Sequence, residues 1–252
     1  MINLKTHDWE IKDVKAILFD KDGTFISSHI YWGEIIRRRV RAVMDFYTIS
    51  DDFFEELCLS MGLDCNVNKL IPEGPIALLA RDAVIKSLKD KLKSLNISAK
   101  SEDIEQIFKD VHKEFLPEIY DSIELITEAR DFFVGLKQAG VKMAVVTSDT
   151  RANTEAILEY LNLNQYFDLV IGKDDCKMAK KTGEPALVAL SKLNVNAKNT
   201  ISVGDASMDY EMAKNANLAG SILVATGQTP LKELKTYTNT VVESLKEVQI
   251  EH

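Results

Sequence analysis

Long apolar runs are missing from this chain: nowhere do about eighteen or more hydrophobic residues follow one another, so no membrane-spanning helix is expected. Met1 to Lys15 alternate charge and hydrophobe rather than joining a basic start to an apolar stretch, so no secretory signal is expected either. Cysteine is scarce. Cys58, Cys65 and Cys176 cannot all pair within the chain, and their spacing matches no zinc site, so packing thiols in a reduced cytoplasmic setting are the expectation. The histidines, His7, His29, His112 and His252, have no ligand-like spacing. Basic residues are outnumbered, 31 Lys and Arg against 39 Asp and Glu, giving a net charge of −8. That balance disfavours nucleic acid as a partner while allowing a small anion met by local cations. No repeat or low-complexity segment is visible. With 252 residues, 46% of them hydrophobic, the chain can bury a full core in one large domain or two unequal ones.

Short apolar runs, by contrast, are present, and four of them end abruptly in polar residues. The first is Val14-Lys15-Ala16-Ile17-Leu18-Phe19, followed by Asp20-Lys21-Asp22-Gly23-Thr24. Two carboxylates spaced i and i+2 at the exit of a buried strand can reach one small volume, because the turn that follows rotates the second back toward the first. That arrangement suits a nucleophile and its acid/base partner. The second run, Val141 to Val146, ends in Thr147 and Ser148, whose hydroxyls can donate to a phosphoryl oxygen together with nearby backbone amides. The third feature is Lys180, which opens a helix after the short strand Asp168 to Gly172. The fourth is Thr200-Ile201-Ser202-Val203-Gly204-Asp205, with Asp209 four residues on. Each polar group lies at or just past a strand's C-terminal end, where open α/β sheets bind ligands. Taken singly, each has a plain structural explanation: a turn, a strand end, a surface lysine, a helix cap. Taken together and in order, they do not.

The order Asp-x-Asp, Thr, Lys, Gly-Asp-x-x-x-Asp resembles that of the haloacid dehalogenase-like hydrolases, whose first motif is DxDGT and most of which are magnesium-dependent phosphatases. The resemblance implies that Asp20 attacks phosphorus to form an aspartyl-phosphate. Asp22 would protonate the departing alcohol and then deprotonate the hydrolytic water. It also implies Mg²⁺ as cofactor, held by Asp20, the backbone carbonyl of Asp22, and Asp205, with Asp209 as an orienting residue or alternative ligand. Hard oxygen donors suit that ion, and a phosphate ester, whose own charge repels a nucleophile, needs a cation. Thr147, with Ser148, would bind the substrate phosphate, and Lys180 would neutralise charge on the nucleophile and the transferring group. Lys180 stands five residues before Pro185, matching the family's Lys-Pro-x-Pro-x-Pro pattern. Lys181 and Gly183 replace the first two prolines, so Lys181 stays an alternative. True dehalogenases of this family lack an acid at the Asp22 position, since halide leaves unprotonated. Asp22 therefore points to phosphate chemistry.

Between the first strand and Val141 lies a stretch with helical rather than strand periodicity. Trp32, Ile36, Val40, Val43 and Tyr47 mark one helix, and Asp51 to Met61 a shorter one closed by Gly62. Ile76, Leu79, Ala83, Val84, Leu88, Leu92 and Leu95 mark a third, begun by Pro75. Ile104, Ile107, Phe108, Val111 and Phe115 mark a fourth, opened by Ser101 with Glu102 and Asp103 in its first turn. After Pro117, strand and helix alternate as right-handed βαβ units require, with helices expected at Thr127 to Ala139, Asn153 to Asn162, Glu184 to Leu193 and Tyr210 to Asn215. The expected fold class is α/β: a Rossmann-like doubly wound parallel sheet formed by residues 1–26 and 120–252, with a four-helix cap over residues 27–119. The insert resembles the helical cap of phosphoglycolate-phosphatase-like members. Such a cap admits substrate, excludes water and reads the leaving group. Candidate readers are the loop from Asn68 to Gly74, Arg81, and one or two of Arg37, Arg38, Arg39 and Arg41.

The expected reaction is hydrolysis of a small phosphorylated metabolite, such as phosphoglycolate, a sugar phosphate or a nucleoside monophosphate. Besides a hydrolase retired to a non-catalytic interaction module, two alternatives use similar residues. A phosphomutase of the β-phosphoglucomutase type would return the phosphoryl group to sugar, and a non-catalytic phospho-switch would stop at the aspartyl-phosphate. Neither substrate identity nor the choice between monomer and homodimer is legible in the residues.

Overall fold

The computed structural model describes residues 1–72, 74–76, 81–115 and 118–251. The chain divides into two compact units, residues 1–27 with 125–252, and residues 28–124. Among the described residues no helix is long and apolar enough to cross a membrane.

In the first unit six strands form a parallel sheet in the order Val241–Val242, Gly220–Val224, Thr200–Gly204, Ala16–Phe19, Lys142–Val146, Leu169–Ile171. The chain winds outward from Ala16–Phe19 in both directions, which is the doubly wound α/β architecture expected from the alternation of strands and helices. All four residues of that strand are fully buried, as a central parallel strand covered on both faces must be. Successive side chains point to opposite faces. Leu18 packs with Ala144, Val146 and Ile171 against the helices Glu184–Leu193 and Ser207–Asn215. Phe19 instead joins an aromatic cluster, with Phe133 edge-on at 5.2 Å between ring centroids and Phe167 at 6.0 Å. Burial of each such ring is worth roughly 1.5–3 kcal/mol relative to exposure.

The register of the central strand places the site. Phe19 lies opposite Val145 on one side and Val203 on the other, so all three chains leave the sheet at the same level. Asp20, Thr147 and Asp205 follow directly. A second, antiparallel sheet of three strands was not expected: Gln249–Glu251, Ile2–Lys5 and Glu10–Val14 pair in that order.

The second unit holds the helices Ser28–Tyr47, Phe54–Met61, Arg81–Ser94 and Ser101–Phe115. Their facing stripes bury Ile36, Val40, Leu57, Leu88, Leu92, Ile104 and Phe108 together. Gly62 ends the second helix with φ 104°, a left-handed conformation that L side chains resist. The third helix departs from expectation. Pro75 and Ile76 lie in a bend and a turn rather than in a helix, because the Ile71 amide donates to the Gly62 carbonyl and the Ile76 amide to that of Met61. Leu79 and Glu73 lie outside the described residues, as does His252. A short hairpin, Leu63–Asp64 with Lys69–Leu70, was also not anticipated. Of the arginines in the first helix, Arg37 donates to Asn68, Arg38 pairs with Glu34 and Glu118, and Arg41 pairs with Asp51 over the Phe54 ring. Arg39 is 6% exposed, its guanidinium 4.6 Å from the centroid of the Phe108 ring, while Arg81 is exposed.

Candidate active site

Asp20 is held at the mouth of the sheet by its amide, which donates to the Val203 carbonyl at 2.8 Å. The chain then turns tightly. The Lys21 carbonyl accepts from the amides of Thr24, Phe25 and Ile26, and Gly23 has φ 84°, which a non-glycine residue would adopt only under strain. Space there is limiting as well: a Cβ on Gly23 would lie 2.3 Å from Asp205 Oδ2, and one on Gly227 1.7 Å from it. The Asp205 carboxyl therefore sits in a cradle of two glycine backbones. The Thr226 hydroxyl closes that cradle by donating to the Gly23 carbonyl at 2.6 Å.

Asp209 lies in the first turn of the helix Ser207–Asn215, its Oδ2 accepting from the Ala206 amide at 3.1 Å. It leans over Gly204, where a Cβ would meet the Asp209 Cγ at 2.0 Å. One carboxylate oxygen each from Asp20, Asp205 and Asp209 falls within 4.8 Å of the others. Lys180 reaches into this group from the turn Lys180–Thr182, with Nζ 2.5 Å from Asp20 Oδ1 and 2.6 Å from Asp209 Oδ1. The contact to Asp209 Oδ1 is a buried ion pair. Lys181 is exposed, and its carbonyl accepts from Asn215.

Charge in this space is unbalanced. Burial, reinforced by Asp20 and Asp209, holds the Asp205 carboxyl well above the usual carboxylate range. Burial also pushes Asp209 up to about 6, against the pull of Lys180. For Lys180 burial acts downward, but Asp20 and Asp209 outweigh it and keep the ammonium protonated. Three carboxylates offering hard oxygen donors within one small space, against one lysine, fit a divalent cation such as Mg²⁺.

Asp22 Oδ1 accepts from Lys21 Nζ at 2.8 Å, and its carboxyl is pushed up to about 6 by burial, with Asp149 and Asp20 adding and Lys21 opposing. Thr147 is 5% exposed. Its hydroxyl accepts from the Asp149 amide at 3.1 Å, which leaves its own proton to donate. Ser148 is exposed, with its Oγ 3.8 Å from the Met208 sulfur.

The family model of the haloacid dehalogenase-like hydrolases matches residues 14–217, a span that holds Asp20, Asp22, Thr147, Ser148, Lys180, Asp205 and Asp209. The chain belongs to the haloacid dehalogenase-like hydrolases. This hydrolase is 31% identical over 206 residues to a phosphoglycolate phosphatase of Aquifex aeolicus, covering 81% of each chain. It is 26% identical over 205 residues to the pyrophosphatase PpaX of Bacillus velezensis, again covering 81% of each. Its fold is similar to that of a solved HAD-superfamily hydrolase, subfamily IA, variant 1, from Geobacter sulfurreducens, with a TM-score of 0.65 at 17% identity over 93% of this chain and 94% of that one. By enzyme class the chain is a phosphatase of this family.

Three groups at the site of this hydrolase escaped the sequence reading. Asp149 lies two residues beyond Thr147 on the same strand exit, and an acid at that place was a readable signal. Gly227 follows the strand Gly220–Val224 and was equally readable as a close-approach glycine. Lys21 was not readable, since a lysine between two aspartates has every local reason to face solvent. Instead its side chain is completely buried.

Proposed function

We propose that this hydrolase is a Mg²⁺-dependent phosphatase that cleaves a small phosphate monoester through a phosphorylated Asp20. The observation that carries this reading is the convergence of Asp20, Asp205 and Asp209 within 4.8 Å, beside the buried Lys180. Asp20 and the two other acids, with the Asp22 carbonyl, are the groups that would hold the cation. When bound, Mg²⁺ supplies positive charge that offsets the charge of the transferring phosphoryl group.

The chain's own residues account for the remaining chemistry. A carboxylate oxygen of Asp20 forms a bond to phosphorus as the bond from phosphorus to the ester oxygen breaks. Asp22, with its carboxyl raised to about 6, retains a fraction of protonated form near neutral pH and gives that proton to the departing alcohol. Water then attacks the same phosphorus, its proton passes to Asp22, and the bond to Asp20 breaks to release phosphate. A positioned acid/base of this kind contributes about two to four orders of magnitude in rate. The Thr147 hydroxyl, supported by the Asp149 amide, donates to a phosphoryl oxygen, and Ser148 lies at the mouth of the same loop. Lys180 orients Asp20 and stabilises the charge that develops as phosphorus is transferred.

The panel is 2-phosphoglycolate, hexose phosphates and nucleoside monophosphates as esters, with pyrophosphate, an anhydride, as a separate arm whose cleavage alone does not meet the monoester reading. Phosphate release is measured from each with Mg²⁺ and with a chelator. Release from at least one ester, lost on chelation, is the expected result. No release from any ester overturns the reading. Isomerisation of a hexose phosphate that requires a sugar bisphosphate and frees no phosphate replaces it with a phosphomutase using the same residues.

A further inference from the structure

Between the two carboxylates of the first loop stands a lysine whose side chain is 0% exposed. Removing an ammonium from water costs several kcal/mol unless partners replace the lost hydration. For Lys21, two such partners lie among the described residues. Its Nζ lies 2.8 Å from Asp22 Oδ1 and 3.2 Å from Asp149 Oδ2. Asp149 is itself fixed from both sides, its Oδ2 accepting from Asn153 Nδ2 at 2.6 Å and its Oδ1 from the Thr150 amide at 2.7 Å. Those donors and the Lys21 ammonium outweigh burial and keep the Asp149 carboxyl below the usual range. At the other end, the Lys21 backbone is pinned by the three amides that its carbonyl accepts.

A structural filler would not be built this way. An apolar side chain of similar length would occupy the same space without desolvating a charge, and replacing a buried ion pair by apolar groups is often neutral or stabilising. What a lysine adds is a directed donor at one oxygen of Asp22. The two strands that carry its partners are paired in register, Phe19 opposite Val145, so the donor is referenced to the rigid centre of the sheet.

We propose that Lys21 is a positioning residue: anchored by Asp149, it fixes Oδ1 of Asp22 so that Oδ2 carries the transferred proton at a set place beside the leaving-group oxygen. This rests on the reading of Asp22 as the acid. Loss of the anchor lets the Asp22 carboxyl turn, and the consequence is specific. A poor leaving group, which must be protonated as it departs, suffers more than a good one, which leaves unaided.

The test compares kcat/KM for an alkyl phosphate that the wild type cleaves with kcat/KM for p-nitrophenyl phosphate, in the wild type and in Lys21→Met, Asp149→Asn and Asp22→Asn. The expected result is a fall of about tenfold or more in the alkyl-to-aryl ratio for Lys21→Met and a smaller fall for Asp149→Asn, both in the direction set by Asp22→Asn. A merely structural lesion lowers both substrates together and leaves the ratio at the wild-type value, and that outcome overturns the proposal. If Lys21→Met does not fold, the ratio in Asp149→Asn decides, since that side chain is partly exposed at 18% and tolerates exchange. An unchanged ratio in Asp22→Asn itself overturns the acid assignment. That failure is separate from one in which Asp22→Asn shifts the ratio and Lys21→Met does not.

Discussion

In the helical unit the buried interior is Ile36, Val40, Leu57, Leu88, Leu92 and Phe108, and pairs such as Lys86 with Asp90 and Lys109 with Glu105 stay at the surface. At the strand ends of the α/β unit the interior is Asp205, Asp209, Lys180 and Lys21. The first arrangement is what folding alone favours. The second gathers like charges in low-dielectric surroundings, where each raises the other's free energy. A fold retains such a cluster where chemistry requires it, so the two units should respond oppositely to substitution: truncation in one removes stability, and neutralisation in the other removes activity. Among the described residues Arg39 is an exception within the helices, a buried cation set over the Phe108 ring.

The contrast can be broken at four points. Asp20→Asn should lower turnover by more than about three orders of magnitude while the melting temperature holds or rises. Phosphate release beside a thermal melt reads both, and more than a few per cent of residual activity refutes Asp20 as the nucleophile. Phe108→Ala should have the opposite signature, a loss of about 3–5 kcal/mol in denaturant unfolding, because it opens a cavity and strips Arg39 of its ring. A loss under about 1 kcal/mol would mean that the helical core repacks freely.

The third point concerns protons and metal together. Asp22 and Asp209 both stand at about 6 in the fold, above the ordinary value of 3.8, and Asp205 is raised as well. A carboxyl whose folded value is raised binds its proton more tightly folded than unfolded. Its contribution is therefore present at low pH and lost as pH rises from 3.8 through about 6. Without a divalent cation, melting should thus be higher at about pH 5.5 than at about pH 7.5, and Mg²⁺ should narrow the gap by raising the value at the higher pH. Differential scanning calorimetry at both pH values gives the answer, and a gap that Mg²⁺ leaves untouched counts against the carboxylates as its site. The smallest effect belongs to Lys181→Ala, which should change stability by less than about 0.5 kcal/mol and leave kcat within a factor of about two. Lys180→Ala should remove most of the activity, and if the two variants exchange behaviour in the same assay the lysine is misassigned.

The three strand exits carrying Asp20, Thr147 and Asp205 were legible because each is a local event, an apolar run stopping at a polar group. The helix Glu184–Leu193 was legible for the same reason, bounded by Gly183 before it and Asn194 in a left-handed conformation after it. The antiparallel sheet was not. The alternation of Ile2–Lys5 is a half-buried strand pattern, but its partner Gln249–Glu251 lies at the far end of the sequence, and no local rule connects them. The third helix was begun too early because Pro75 suits a first turn, whereas cross-bonding between Gly62 and Ile71 overrode that preference. Lys180 could be chosen from its spacing to Pro185. The burial of Lys21 depends on Asp149, a contact across more than a hundred residues.

Strand order also bears on synthesis. The central strand Ala16–Phe19 emerges from the ribosome before either neighbour exists, since its partners begin at Lys142 and Thr200. The intervening helices can meanwhile collapse on one another, because the hydrophobic cluster they form lies wholly within residues 36–108. The segment carrying Asp20 and Asp22 is thus translated well before the strands that surround it in the sheet. A chain translated only to residue 141 holds the central strand without either of the strands that flank it in the sheet.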